Sequence, residues 1–239
     1  MELRWQDAYQ QFSAAEDEQQ LFQRIAAYSK RLGFEYCCYG IRVPLPVSKP
    51  AVAIFDTYPD GWMAHYQARN YIEIDSTVRE GALSTNMIVW PDVDRIDPCP
   101  LWEDARDFGL AVGVAQLSWA ARGAFGLLSI SRHADRLTPA EINMLTLQTN
   151  WLANLSHSLM SRFMLPKLSP AAGVTLTARE REVLCWTAEG KTACEIGQIL
   201  SISERTVNFH VNNILEKLAA TNKVQAVVKA IAAGLIDTP

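Results

Sequence analysis

The chain has 239 residues, enough for one large or two ordinary domains, and 49% hydrophobic with 20% charged residues describes a soluble globular protein. A net charge of −4 argues against a strongly basic clamp on nucleic acid or on a membrane surface. No apolar run reaches the ~18 residues of a membrane helix. The start is polar and acidic, unlike a signal peptide, so the expected compartment is the cytoplasm. Five cysteines are odd in number and none has CxxC spacing; buried free thiols are expected, and no metal centre.

Helical periodicity runs from about Arg4 to Phe12, and from Glu16 to Leu32 after a Ser13 to Glu16 capping box, with Gly33 ending it. Phe34 to Val43 and Ala51 to Thr57 are β-branched and aromatic enough for strands, separated by the proline-bearing loop PLPVSKP. Gly113 to Trp119 and Phe125 to Ser131 are two further strands, antiparallel neighbours across an Arg122-Gly123 turn. Between the pairs, short helices are expected near Gly61 to Asn70, Ser76 to Leu83 and Leu101 to Phe108. Thr138, Pro139 and Glu141 start a long helix that continues to about Met164, and PKLSPAAG then breaks every period. The expected fold is α+β, an α/β/α sandwich with an antiparallel sheet, followed by an all-α four-helix domain. Expected boundaries are residues 1–165, a linker at 166–174, and 175–239.

In the second domain, Thr177 to Glu180 and Thr192 to Glu195 are capping boxes opening two helices, Ser201-Ile202-Ser203 makes a turn, and Ser203 caps a third helix from Glu204 to about Ala219. On that helix Val207, Val211, Ile214, Leu215 and Leu218 form one apolar stripe, while Arg205, Asn208, Phe209, Asn212 and Asn213 fall opposite. Asn is a poor helix former on a solvated face, but it pairs bidentately with adenine, and an outward Phe or Thr methyl can touch a thymine methyl. Short helix, tight turn and polar second helix make a helix-turn-helix; a small bundle with a polar surface is the competing reading. Residues 175–239 hold seven Lys/Arg and seven Asp/Glu, so one copy attracts phosphate weakly and two copies on one palindrome are expected. Gly190-Lys191-Thr192 imitates the end of a phosphate-binding loop, but Cys185 stands where its first glycine is needed.

The first domain gathers Tyr58, Trp62, Tyr66, Asp75, Trp90 and Ser129. Trp62 and Tyr66 share a helix face, and Asp75 lies in a loop that can fold over them. Two readings stand open: a largely apolar small-ligand pocket with few polar handles, or ordinary core aromatics with Asp75 capping a helix.

At GKTACEI, SERTVNFHVNNI, Glu180, Leu184 and Gly190 the second domain resembles the DNA-binding domain of LuxR-type transcription factors. YPDGWMAHY, EIDSTV, IVWPDV and GLAVG are similar to segments of the family's autoinducer-binding domain. The resemblance implies base contacts at Asn208 and Asn212, with Lys191, Thr192, Arg205, His210 and Lys217 near phosphates; Thr206, Phe209 and Asn213 complete the expected DNA face. Where some members carry Arg, this chain has Asn208 and Asn212, so their operator does not transfer. The implied ligand is an N-acyl-homoserine lactone. Trp62 would donate to the lactone carbonyl, Asp75 accept from the amide N–H, and Tyr58 with Ser129 donate to the amide carbonyl. Trp90 would pack on the lactone ring, with Tyr66 and Leu110 as walls and Gly113 permitting close approach. Acyl-chain walls are expected from Ile54, Phe55, Val114 and Leu127.

The expected function is that of a quorum-sensing transcriptional regulator: a homodimer on a palindromic promoter site, without cofactor, and with RNA polymerase as a further partner if it activates. A helix-turn-helix regulator with no ligand, or another one, is the alternative. A response regulator needs an acidic pair after its first strand, which is missing. A lactone or ester hydrolase finds suitable residue types in Asp75, His65 and Ser129, but no GxSxG turn and no metal-spaced histidines.

Overall fold

A computed structural model of the chain describes residues 5–43, 50–81, 84, 86–90, 99–119, 124–133, 135–168 and 174–236. The residues form two compact units, the first ending at Met164 and the second carrying the last four helices. The proline-bearing loop after Val43, the Arg122-Gly123 turn, Leu83 and much of the expected linker lie outside the described residues.

Two helices open the first unit, α1 (Trp5–Ser13) and α2 (Glu18–Arg31). The α2 cap is Asp17, whose side chain accepts the Gln20 N–H; Ser13 instead finishes α1, so the expected capping box at Ser13 does not form. Five strands follow the order β2-β1-β5-β4-β3, where β1 is Tyr36–Val43, β2 Ala51–Asp56, β3 Ile88–Val89, β4 Val112–Trp119 and β5 Phe125–Arg132. The β1–β5, β4–β5 and β3–β4 pairs are antiparallel, and β4 and β5 are neighbours as their proximity in sequence suggests. Between β2 and β4 lie α3 (Trp62–Ala68), a 3-10 turn at Tyr71–Glu73, α4 (Ser76–Gly81) and α5 (Pro100–Asp107).

Alternation along the strands sends successive side chains to opposite faces. Cys37, Tyr39 and Ile41 of β1 are buried on the face that meets α2 and the long helix α6 (Pro139–Leu168). There Phe55 of β2 packs on Phe22 of α2, and the Tyr39 hydroxyl lies 2.6 Å from Nδ1 of His157 in α6. Gly126 of β5 makes that contact sterically feasible, since a Cβ there would stand 2.3 Å from the His157 ring. The opposite face meets α3, α4 and α5. The first unit is thus a sheet between helical layers.

Helix α6 runs past Met164 and through Pro166 to Leu168, longer than its apolar periodicity suggests. Pro166 removes its own amide donor and crowds the carbonyl one turn before it, a disturbance confined to the last turn of α6.

The second unit contains α7 (Ala178–Ala188), α8 (Ala193–Leu200), α9 (Glu204–Lys217) and α10 (Lys223–Ala232). Thr177 and Thr192 form complete capping boxes with Glu180 and Glu195, and Ser203 accepts the Thr206 N–H at the head of α9. Val183, Leu184, Ile196, Val207, Val211, Ile214 and Leu218 make one core. Of the five free cysteines only Cys37 is buried; Cys185 and Cys194 are exposed, because α7 and α8 turn those positions outward from this core.

Candidate ligand cavity and DNA face

On the sheet face away from α6 lies a cavity of about 140 Å3. Tyr58, Trp62, Tyr66, Asp75, Trp90 and Ser129 all line it, although they come from five different elements or loops. Cross-strand register explains part of this convergence: Cys38 faces Ser129, Gly40 faces Leu127 and Arg42 faces Phe125, each a rung on the cavity side of β1 and β5. Trp62 and Tyr66, four apart on α3, present their rings together with centroids 6.0 Å apart.

Asp75 is 8% exposed and sits at the head of α4. Its Oδ1 accepts from the Thr77 N–H at 2.8 Å and the Thr77 hydroxyl at 2.6 Å; its Oδ2 accepts from the Tyr66 hydroxyl at 2.9 Å. The helix-capping and pocket readings of Asp75 therefore hold together: one oxygen caps, the other faces the cavity. A carboxylate oxygen with two lone pairs and one donor keeps acceptor capacity.

Burial pushes the Tyr58 phenol well above its ordinary value, and the neighbouring Cys38 thiol adds to this, while Ser129 acts against it. Burial raises Tyr66 too, and Asp75 beside it reinforces the effect. Both phenols are protonated donors at neutral pH. The Trp90 backbone N–H donates to the Gly113 carbonyl at 2.9 Å, and its indole Nε1 is buried with no hydrogen-bond partner among the described residues. A Cβ on Gly113 would lie 2.7 Å from that indole, so glycine is what lets Trp90 close over β4.

Leu110 does not reach the cavity wall: it is buried behind Trp62 in a cluster with Tyr71, Leu101 and Ala105. Among the expected acyl-chain walls, Ile54 and Leu127 line the cavity. Phe55 and Val114 do not, because Phe55 alternates with Ile54 and Val114 pairs with Ile130, which puts both on the α6 face. Sequence reasoning missed Thr77, Cys38, Gly40, Arg42, Val52 and Trp102, which also line the cavity. The Asp75-Ser76-Thr77 capping pattern was a signal for Thr77; the strand residues become visible only through register.

His65 takes no part with Ser129. Its Nε2 lies 2.5 Å from Asp104 Oδ2, which also accepts from the Tyr71 hydroxyl at 2.5 Å. These two hydrogen bonds, Tyr71 first, hold the Asp104 carboxyl below its usual range; burial and Asp104 raise the Tyr71 phenol to about 12. Asp75, His65 and Ser129 thus form no hydrolytic relay. Among the described residues no group of three or more His, Cys, Asp or Glu can hold a metal, and no helix is long and apolar enough to cross a membrane.

On α9, Val207, Val211 and Ile214 are buried, while Arg205, Asn208, Asn212 and Phe209, the last 60% exposed, face outward. Thr206, His210 and Asn213 are half-buried, and Lys191 is exposed. The Thr192 and Thr206 hydroxyls are engaged locally, with Glu195 at 2.8 Å and Ser203 at 2.7 Å. The Lys217 Nζ lies 2.6 Å from Oε2 of Glu180, a carboxylate whose side chain is only 4% exposed. Burial would raise the Glu180 carboxyl, but Lys217 and Thr177 outweigh it and the net displacement is downward.

Residues 17–160 match the model of the autoinducer binding domain, and residues 174–230 that of the bacterial regulatory proteins of the luxR family. The transcriptional activator protein SolR of Ralstonia nicotianae is 69% identical over 97% of this chain and 98% of its own. The crystal structure of Escherichia coli SdiA superposes with a TM-score of 0.86 at 35% identity, covering 98% of both chains. SdiA in complex with octanoyl-rac-glycerol gives 0.85 at 34% identity over the whole of both. The family is regulatory rather than enzymatic, and the helix-turn-helix built on α8 and α9 is its DNA-binding element. The chain belongs to the LuxR family of bacterial transcriptional regulators, with an autoinducer-binding domain before its DNA-binding domain.

Proposed function

We propose that this regulator is a cytoplasmic quorum-sensing receptor whose autoinducer is an N-acyl-homoserine lactone, and that it acts as a homodimer on a palindromic promoter site. Residues 1–165 would bind ligand, 175–239 would bind DNA, and 166–174 would link them. The observation that carries the ligand reading is the polarity of the cavity: Tyr58, Trp62, Asp75 and Ser129 supply a few polar groups, and most of the remaining wall, from strands and helices alike, is apolar. Two carbonyls and an amide N–H need donors and an acceptor in that arrangement, with a hydrophobic wall for the acyl chain. Trp62 serves the lactone carbonyl, Asp75 the amide N–H, and Tyr58 with Ser129 the amide carbonyl. Trp90 covers the lactone ring.

Dimerisation is supported by α10, where Val224, Val228 and Ile231 leave an apolar stripe exposed at helical spacing, Val224 by 74%. Two copies also double the phosphate contacts of a charge-neutral domain and supply half-site spacing. Arg205 and Lys191 would take phosphates, Asn208 and Asn212 base edges, and Phe209 a thymine methyl, a reading supported by their exposure on the second unit. An activating role, as SolR's name states for that protein, would add contact with RNA polymerase.

SdiA's octanoyl-rac-glycerol complex favours a second ligand class for such a cavity, an acylglycerol. Mass spectrometry of ligand recovered from purified protein separates the classes and also reads hydrolysis: intact lactone is expected. Asp75→Ala should abolish the lactone response, and Asn208→Ala should still dimerise yet lose ~1–3 kcal/mol of base discrimination. Unchanged operator preference in Asn208→Ala, or normal lactone sensitivity in Asp75→Ala, would count against these roles.

A further inference from the structure

The cavity's apolar end finishes on a charge. From the Cys38–Ser129 rung, where the polar head groups gather, the wall advances by the Gly40–Leu127 rung to the Arg42–Phe125 rung. Four residues of strand separate first and last rungs, roughly 13 Å at ~3.3 Å per residue. At the second rung the wall is open: a Cβ on Gly40 would meet nothing within 4 Å. At the third, the Arg42 guanidinium lies over the Phe125 ring, 5.5 Å from its centroid. Arg42 is exposed, and among the described residues no carboxylate pairs with it.

Resting on the acyl-lactone reading above, we infer that Arg42 is the stop that limits acyl-chain length. A guanidinium does not lose its proton in proteins, so hydrocarbon pressed against it must strip water from a permanent charge. Its planar face rests on Phe125, which fixes the hydrated charge at the third rung of the wall. Short tails gain from each methylene they bury between Ile54, Val52 and Leu127; tails that reach the third rung lose that gain. Below the stop, each added methylene should tighten binding roughly fourfold, the equivalent of ~0.8 kcal/mol. Above it, affinity should level off and fall.

The test is a fluorescence titration of the full chain, with Trp62, Trp90 and Trp102 on the cavity wall as reporters, against saturated acyl-homoserine lactones lengthened two carbons at a time. Arg42→Leu should move the optimum to longer chains, with ~15-fold tighter binding, relative to the wild-type optimum, for the lactone two methylenes longer. Arg42→Lys, which keeps the charge, should hold the limit near the wild-type position. Gly40→Val narrows the preceding rung and should shorten the optimum. If lactones bind and Arg42→Leu leaves the optimum in place, the stop lies elsewhere; an unchanged optimum in Gly40→Val removes the tail from these rungs. If no lactone of any length binds the wild type, the ligand reading fails first and the Arg42 role falls with it.

Discussion

Lys217→Met tests whether this cation belongs to the fold or to the DNA interface. In the native protein the Glu180 carboxylate is buried, and its Oε2 takes the Lys217 ammonium at 2.6 Å and the Thr177 N–H at 2.8 Å. Removing the cation strands a buried anion, which costs about 3–5 kcal/mol when both partners are enclosed. The Lys217 side chain is 37% exposed, and solvent screening reduces the expected loss to about 2 kcal/mol. Hydrogen exchange in peptides from α7 and α9, measured in the full chain, reads that loss as faster opening of the second unit alone. Glu180→Gln combined with Lys217→Met removes the stranded charge and should recover much of it. The effect depends on pH. The folded Glu180 carboxyl lies below its usual range, so its contribution is present above the unfolded value near pH ~4.3 and disappears as pH falls through the folded one. Lys217→Met should therefore be destabilised at neutral pH and converge on the wild type in acid. A variant with unchanged exchange, but with weaker DNA binding and a salt slope reduced by ~1, would refute the ion-pair account and return Lys217 to the phosphate contacts.

Gly126→Ala should lose ~1–3 kcal/mol of stability in the first unit, seen by thermal or urea unfolding, because its Cβ would stand 2.3 Å from the His157 ring and 2.8 Å from the Tyr39 hydroxyl. His157 itself should make stability fall between pH ~6.5 and 4: burial lowers its folded pKa to about 4, so below pH ~6.5 the unfolded chain binds a proton that the folded one refuses. His157→Gln should flatten that slope, and an equal slope in both proteins would show that another group titrates. Gly113→Ala should weaken lactone binding at least tenfold by displacing Trp90, from which its Cβ would be 2.7 Å; unchanged affinity would remove Trp90 from the lactone site.

What could be read from the sequence is what short-range chemistry decides. The caps at Thr177, Thr192 and Ser203, and the apolar stripe through Val207, Val211 and Ile214, depend on neighbours a few residues away, and the structure forms them. The Ser13 box failed because Asp17 is a competing cap four residues on. Strand β3 has only two residues, β-branched but too few to show a period, and it is defined by pairing with Val114 and Ala115. The cavity's polar residues stood out by type, but which strand residues face them depends on register. Ile54 and Phe55 were both expected at the wall, although adjacent strand residues point to opposite faces. The packing of Leu110 on Trp62 and Tyr71, and the pairing of Lys217 with Glu180, were hidden for a related reason: those partners are far away in sequence.

The most direct test of the central claim is the melting temperature of the first unit with and without acyl-homoserine lactone. A ligand that fills about 140 Å3 of largely apolar volume, at ~24 cal/mol per Å3, contributes ~3 kcal/mol. For a domain of this size that corresponds to a rise of roughly 7–14 °C at saturation. A rise of that order that depends on chain length, and is lost in Asp75→Ala, is the predicted result. No shift with any lactone would contradict the account, and a shift with octanoyl-glycerol alone would assign the cavity to a different acyl ligand.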